Sequence, residues 1–204
     1  MTNGGYDNGY ASCPCFWGQE PGSLIVELFT LLPSLSGLTV LDAGCGEGKN
    51  AHAVAGRGAK VVAVDCSELA LANGRHAFPH DPIDWQCCDV GEADYGIEKF
   101  DLVIAYGFFH CLDSEQNIAK VIQRLQNATR LGGLHIVCAF NSRAQDLTAH
   151  PGFNPCLISH SQYVKFYDGW EILRSSDTDL HEVHPHNLIP HSHSMTRFIA
   201  RKPQ

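Results

Sequence analysis

The sequence predicts a three-layer, doubly wound α/β domain on three observations. Short apolar runs rich in Val and Ile alternate with segments of helical periodicity, and the runs are bounded by Gly, Asp or Pro. The third is size: 204 residues with 44% apolar content suffice for one two-sided core and leave little room for a second full domain. Right-handed crossovers between such runs lay helices on both faces of a parallel sheet, and ligands then bind beyond the carboxyl ends of the strands.

In chain order, a helix beginning near Pro21 runs through "LIVELFTLL" and precedes the first strand, "LTVLDAG" (38–44). "GKNAHAVAGRG" reads as the first crossover helix and stops on glycine, and "KVVAVD" (60–65) is the next strand. "SELALANGRHA" is a helix with Ser67 as its N-cap, because a serine oxygen there can accept an otherwise orphaned amide. "IDWQCCD" (83–89) and "FDLVIAYG" (100–107) follow as strands. "DSEQNIAKVIQRLQNATRLGG" has helical spacing and a Gly-Gly stop, so the spacing predicts a helix reaching that stop before the strand "LHIVCAF" (134–140). We divide the single domain into an N-terminal lid and helix (1–37), a cofactor-binding core (38–140) and a substrate-side insertion with a C-terminal hairpin (141–204).

Charge narrows the partners. A net charge of −8 with a sequence pI near 5.8 offers no basic stripe for phosphates, which predicts a small-molecule substrate, no nucleic-acid or membrane partner, and a monomer or homodimer. No run of eighteen apolar residues occurs, and "MTNGGYDNGY" lacks the regions of a signal peptide, so a cytoplasmic protein is expected. Nine cysteines is an odd count; Cys45, Cys66, Cys88 and Cys138 sit in or beside apolar runs, where a thiol packs as a small hydrophobe, and reduced thiols are expected.

The first strand-to-helix turn, "VLDAGCGEGKN" (40–50), is where a cofactor belongs. Gly44, Gly46 and Gly48, with Cys45 between the first two, let the backbone turn tightly against a ligand. A dinucleotide fingerprint needs its third glycine at position 49, which is Lys49 here, and a ligand-free βα turn is the alternative. Asp65 ends the second strand, where a carboxylate can accept both hydroxyls of a ribose. Asp89 ends the third beside an adenine position, and Asp42 offers a carboxylate to a cationic tail. Together they suit an adenosine that carries positive charge.

"VLDAGCGEG", "VVAVDCS", "CCDV" and "FDLVIAYGFFHCL" resemble the motifs of class I S-adenosylmethionine-dependent methyltransferases, over about residues 38–140. The resemblance implies a Rossmann-like seven-stranded sheet with an antiparallel last strand and S-adenosylmethionine as cofactor. It further implies the glycine turn near the methionine portion, Asp65 with Cys66 at the ribose, Asp89 and Val90 at the adenine, and Tyr106 and Gly107 by the transferred methyl. "HPGFNPCLISHSQYVKFYDGWEI", "DLHEV" and "RFIARKP" look like the TehB-type tellurite-resistance methyltransferases and their small-molecule relatives. That likeness implies His181 as the active-site histidine; the arginine that follows it in those enzymes is Glu182 here, a departure that weighs against binding of tellurite-type oxyanions.

Five of the twelve histidines fall between 181 and 193. With strand six over 169–183 and strand seven over 194–202, the loop 184–193 leaves the sheet at the active-site face. His191 and His193 alternate, and so do His184 and His186, so each pair shares a face if extended. Three readings are open: a solvated hairpin, acceptor recognition and proton handling by His181, His184, His191 and His193, or a metal site. Acceptor recognition is the assignment, with His110 as a second candidate base; no C-x-x-C or H-E-x-x-H framework supports a metal. The resemblance implies that Tyr10, Phe16 and Trp17 form an aromatic lid over the sulfonium, the alternative being an anchor packed on the domain edge; Phe153 and Cys156 are expected on the opposite wall and Arg197 also at the acceptor. Cys13-Pro-Cys15 is too tight for an unstrained disulfide, although it could add soft ligands to a metal site.

The expected activity is methyl transfer from S-adenosylmethionine to a hydroxyl, amine, carboxyl, thiol or chalcogen of a small molecule. The alternatives are a nicotinamide-dependent oxidoreductase on the same fold, against which Lys49 and Asp89 argue, and a non-catalytic metal-binding domain.

Overall fold

The computed structural model describes residues 6–79, 82–184 and 187–204. Its elements in chain order are α1 (Asp7–Ser12), α2 (Ser23–Leu31), β1 (Thr39–Ala43), α3 (Lys49–Ala55), β2 (Lys60–Asp65), α4 (Glu68–Ala77), β3 (Ile83–Cys87), β4 (Phe100–Tyr106), a 3₁₀ turn (Phe109–Cys111), α5 (Glu115–Ala128), β5 (Thr129–Gln145), α6 (His160–Lys165), β6 (Glu171–Val183) and β7 (Pro190–Arg201).

The strands form one seven-stranded sheet in the order β3-β2-β1-β4-β5-β7-β6, parallel except that β7 runs antiparallel to both neighbours. The order reverses between β1 and β4, which is where a doubly wound sheet opens a crevice. Period-two alternation sends β4 side chains to two cores: Val103 and Ala105 pack with α5 residues Ile118, Val121 and Leu125, while Leu102 and Ile104 pack with α2 and α3 residues Leu28, Ala51 and Val54. Ser67 caps α4 by accepting the Ala70 amide at 3.1 Å. No described helix is long and apolar enough to cross a membrane.

Two boundaries differ from the sequence reading. The helix expected to reach the Gly-Gly stop ends at Ala128, because Thr129 is extended and pairs with Phe100, so β5 begins there and runs through Gln145. Strand pairing with β4 outweighs helical spacing. Likewise β7 begins at Pro190, so His191 and His193 lie on a strand and the connection after β6 is shorter than the predicted 184–193. His186 lies outside the described residues.

Candidate active site

A cavity of about 390 Å³ lies at the carboxyl ends of the parallel strands, within the size range of small-molecule sites. The turn after β1 forms one wall, with Gly44, Gly46 and Gly48 all at positive φ. At Gly48, with φ +79°, a Cβ would come within 2.2 Å of the Trp85 ring, so strain and space both demand glycine. The Gly46 amide donates to Asp65 Oδ2 at 2.8 Å and the Ser67 amide to Oδ1 at 2.9 Å. Each carboxylate oxygen keeps a further lone pair, and Asp65 lines the cavity, so it can accept a vicinal diol there. Burial raises the Asp65 pKa, against which the two amides act. The glycine cradle and this carboxylate fit an adenosyl cofactor.

Cys45, Cys66, Val90, Tyr106 and Gly107 also line the cavity. Burial raises the thiol of Cys45, and pushes those of Cys66 and Cys138 up to about 11 and Cys111 to about 12, so the cavity's thiols are protonated at neutral pH. Two expected carboxylates are absent from the wall. Asp42 sits behind the glycine turn, 1% exposed, with Oδ2 buried and lacking a hydrogen-bond partner among the described residues; burial pushes its pKa up to about 7, opposed by the Ala51 amide. Asp89 accepts the Gly91 amide at 2.7 Å in the turn after β3 and leaves Val90 to face the cavity.

The N-terminal segment is tied across the opening by groups the sequence reading overlooked. Glu47 accepts the amides of Cys15 at 3.0 Å and Phe16 at 2.6 Å, and Asn73 Nδ2 at 2.9 Å. Lys49 Nζ donates to the Trp17 carbonyl at 2.8 Å, and burial lowers its pKa. Tyr10 and Trp17 line the cavity, joined by the Trp17 indole N–H to Tyr10 Oη at 3.4 Å; Phe16 packs behind them, 4.7 Å from Trp17 between ring centres.

The far wall comes from the other half of the sheet: Phe140 on β5, Leu180 and Glu182 on β6, and Met195 and Arg197 on β7. Arg197 donates to Thr178 Oγ1 at 2.9 Å, while its Nε is buried and has no hydrogen-bond partner among the described residues. His110, on the 3₁₀ turn, lines the cavity and stacks on Phe140 at 4.0 Å. Its Nδ1 accepts the Phe140 amide at 3.2 Å, and burial drives its pKa down to about 3, so the ring is neutral with its proton on Nε2. Phe153 does not line the cavity; it packs 5.9 Å from His110 and 5.3 Å from Tyr6.

His181 corrects the sequence expectation. It is exposed and pairs with Ser192, whereas Leu180 and Glu182, one residue to either side, line the cavity; alternation along β6 turns His181 to the opposite face. Likeness of sequence could not reveal this without the register. His184, His191 and His193 are brought together but off the cavity wall, in a buried group with His150, which the sequence reading passed over. Cys13 and Cys15 lie outside the group of His150, Glu182, His191 and His193, whose ligand atoms fall within 4.8 Å of one another.

Comparison with known proteins agrees with this geometry. Residues 40–133 match the family model described as a methyltransferase domain. A ubiquinone biosynthesis O-methyltransferase of Bradyrhizobium sp. (strain ORS 278) is 33% identical over 112 residues, 54% of this chain and 43% of that one. TehB of Haemophilus influenzae (strain 10810) is 24% identical over 156 residues, 74% of this chain and 51% of that protein. The chain thus spans about half the length of the curated relatives it matches. Among solved structures, Haemophilus influenzae TehB superposes with a TM-score of 0.72 at 20% identity, covering 89% of this chain and 62% of that one. The Burkholderia thailandensis 1,6-didemethyltoxoflavin-N1-methyltransferase, solved with its substrate and S-adenosylhomocysteine, gives 0.71 at 19% identity, covering 99% and 87%. In its fold, its cofactor cradle and the methyltransferase-domain match over residues 40–133, the chain is similar to the class I S-adenosylmethionine-dependent methyltransferases, the TehB-like proteins among them.

Proposed function

We propose that the protein transfers the methyl group of S-adenosylmethionine to a small acceptor held between the glycine turn and the β6–β7 wall. The observation that carries this reading is one cavity bounded at one side by Gly44–Gly48 and Asp65 and at the other by His110, Glu182 and Arg197. The cofactor supplies, when bound, a methyl on a sulfonium; the acceptor's lone pair bonds that carbon while the carbon–sulfur pair returns to sulfur. The chain's own residues bind, align and dry the reactants.

Asp65 takes the ribose hydroxyls, and Tyr10, Trp17 and Tyr106 present aromatic surface to a cation. His110 donates from Nε2, and Arg197 offers its unpartnered Nε to an acceptor oxygen. Among these wall residues Glu182 is the group able to accept a proton from a hydroxyl, amine or thiol. The single domain extends from the lid to the C-terminal hairpin, and Lys49, engaged with the Trp17 carbonyl where a dinucleotide fingerprint has glycine, supports this reading over a nicotinamide enzyme.

The test is methyl transfer from labelled S-adenosylmethionine to tellurite, selenite, thiols, halides and a cell metabolite extract, counting volatile and non-volatile label separately. Non-volatile label from the extract is the expected result. No label in any acceptor, with S-adenosylhomocysteine still bound, would count against catalysis.

A further inference from the structure

The cluster His150, His184, His191, His193 and Glu182 is not used by the methyl-transfer reading beyond the last of these. We propose that four of its members, His150, Glu182, His191 and His193, form a binding site for one divalent transition-metal ion of the Zn²⁺ class, with His184 packed beside them. The imidazole rings converge by Nε2: those of His184, His191 and His193 each lie 3.2 Å from Nε2 of His150. Glu182 Oε1 lies 3.8 Å from His184 Nε2, 3.5 Å from His191 Nε2 and 3.7 Å from His193 Nε2. Ligands at about 2.0–2.1 Å from a tetrahedral Zn²⁺ stand about 3.3 Å apart, so small shifts of these side chains would close the group into a coordination shell.

The proton inventory points the same way. His191 Nδ1 is 2.8 Å from the Ile189 carbonyl oxygen, which accepts only, so Nδ1 carries the proton and the neutral ring's Nε2 carries a lone pair. His193 Nδ1 is 2.8 Å from Gln145 Oε1, and that amide is oriented by its Nε2 donating to the carbonyls of Asn141 at 2.8 Å and Ser194 at 2.9 Å. His193 therefore also directs a lone pair inward. His150 Nε2 can give one proton to one of three neighbouring nitrogens, and a carboxylate faces the same point. Such an excess of inward lone pairs is relieved by a cation.

The buried His135 shows the contrasting arrangement: Thr129 Oγ1, whose hydroxyl donates to the Leu125 carbonyl at 2.7 Å, accepts from its Nε2 at 2.7 Å, and Tyr167 Oη at 2.9 Å can donate to its Nδ1, so both ring nitrogens are satisfied. In the cluster, by contrast, outer hydrogen bonds to a carbonyl and an amide oxygen fix the tautomers, as ligating histidines require. Imidazole-rich ligation with one carboxylate suits Zn²⁺, and also Co²⁺, Ni²⁺ or Cu²⁺. Glu182 belongs to both the cluster and the cavity wall, so the ion would border the acceptor; this placement rests on the methyl-transfer reading, whereas ion binding does not.

The full chain, stripped by chelator and dialysed, is titrated with Zn²⁺ and separately with Co²⁺. One ion per chain is expected, with the strong visible absorption of tetrahedral Co²⁺. His191→Ala combined with His193→Ala should weaken binding at least about 100-fold and abolish that absorption, with S-adenosylhomocysteine affinity within about 3-fold of the parent to show that the fold stands. Gln145→Met, which removes an outer partner, should weaken binding about 10- to 100-fold. His181→Ala, in the same hairpin but on the other face, should leave it unchanged. No binding by the parent chain, or binding that survives the double substitution or is lost in His181→Ala, would overturn the site. Stoichiometric ion without methyl transfer would leave the metal site standing and remove the enzymatic reading; methyl transfer without ion binding would do the opposite.

Discussion

Glu182 and His191 stand directly opposite each other on antiparallel strands β6 and β7, with Oε1 3.5 Å from Nε2. The pair ties the cavity wall to the histidine cluster behind it, because Glu182 lines the one and His191 belongs to the other. A one-residue slip of β6 would put His181 there instead and turn Glu182 outward.

That register inverts the expectation for His181. Its replacement by alanine should leave turnover within about twofold of the parent, as is usual for an exposed side chain away from the chemistry. Glu182→Gln should lower turnover about 100-fold for an acceptor that must lose a proton. Steady-state rates of the two variants decide between the residues: a large loss in His181→Ala with none in Glu182→Gln would reject the assignment.

At the cofactor end, Asp65→Ala should weaken S-adenosylhomocysteine binding by about 10- to 100-fold, since hydrogen bonds to a charged group contribute about 1.5–3 kcal/mol each. Asp65→Asn, which keeps an acceptor oxygen, should lose less. Calorimetric titration gives both values, and an unchanged affinity in Asp65→Ala would exclude the ribose role.

Asp42 predicts a pH dependence of stability. Its folded-state pKa, about 7, is above the usual carboxylate value of 3.8, so the folded chain holds this proton more tightly. The stability this contributes is complete below pH 4 and is lost as pH rises to about 7, an effect of up to about 4 kcal/mol. Asp42→Asn keeps a neutral side chain at every pH. Denaturation should show the variant gaining on the parent between pH 4 and pH 7, and parallel curves would refute the linkage.

Glu47 holds the N-terminal segment through the Cys15 and Phe16 amides and Asn73. Glu47→Ala should release that segment, costing about 2 kcal/mol or more from charge-assisted hydrogen bonds, and should speed cleavage near Trp17 by a limiting protease. Protection unchanged from that of the parent would show that aromatic packing alone holds the lid.

The sequence by itself determined the fold class, the glycine turn and the carboxylate of Asp65, because these are local features: alternating strand and helix patterns, glycines at positive φ, and a residue at the end of a strand. It also placed Val90, Tyr106, Gly107, Tyr10 and Trp17 on residues that do line the cavity. Asp42 and Asp89 look identical to Asp65 in sequence, each an aspartate at a strand end, and only the direction of the turn sends Asp65 to the wall, Asp42 behind it and Asp89 onto the Gly91 amide. The histidine pattern was visible, but its meaning was not. Tertiary structure put Glu182 rather than His181 on the cavity wall by the register of β6 on β7, and it carried His150 from a distant segment onto His191 and His193. No periodicity within one segment records a contact across 43 residues, since such a contact is fixed by how strands pair and loops close over them.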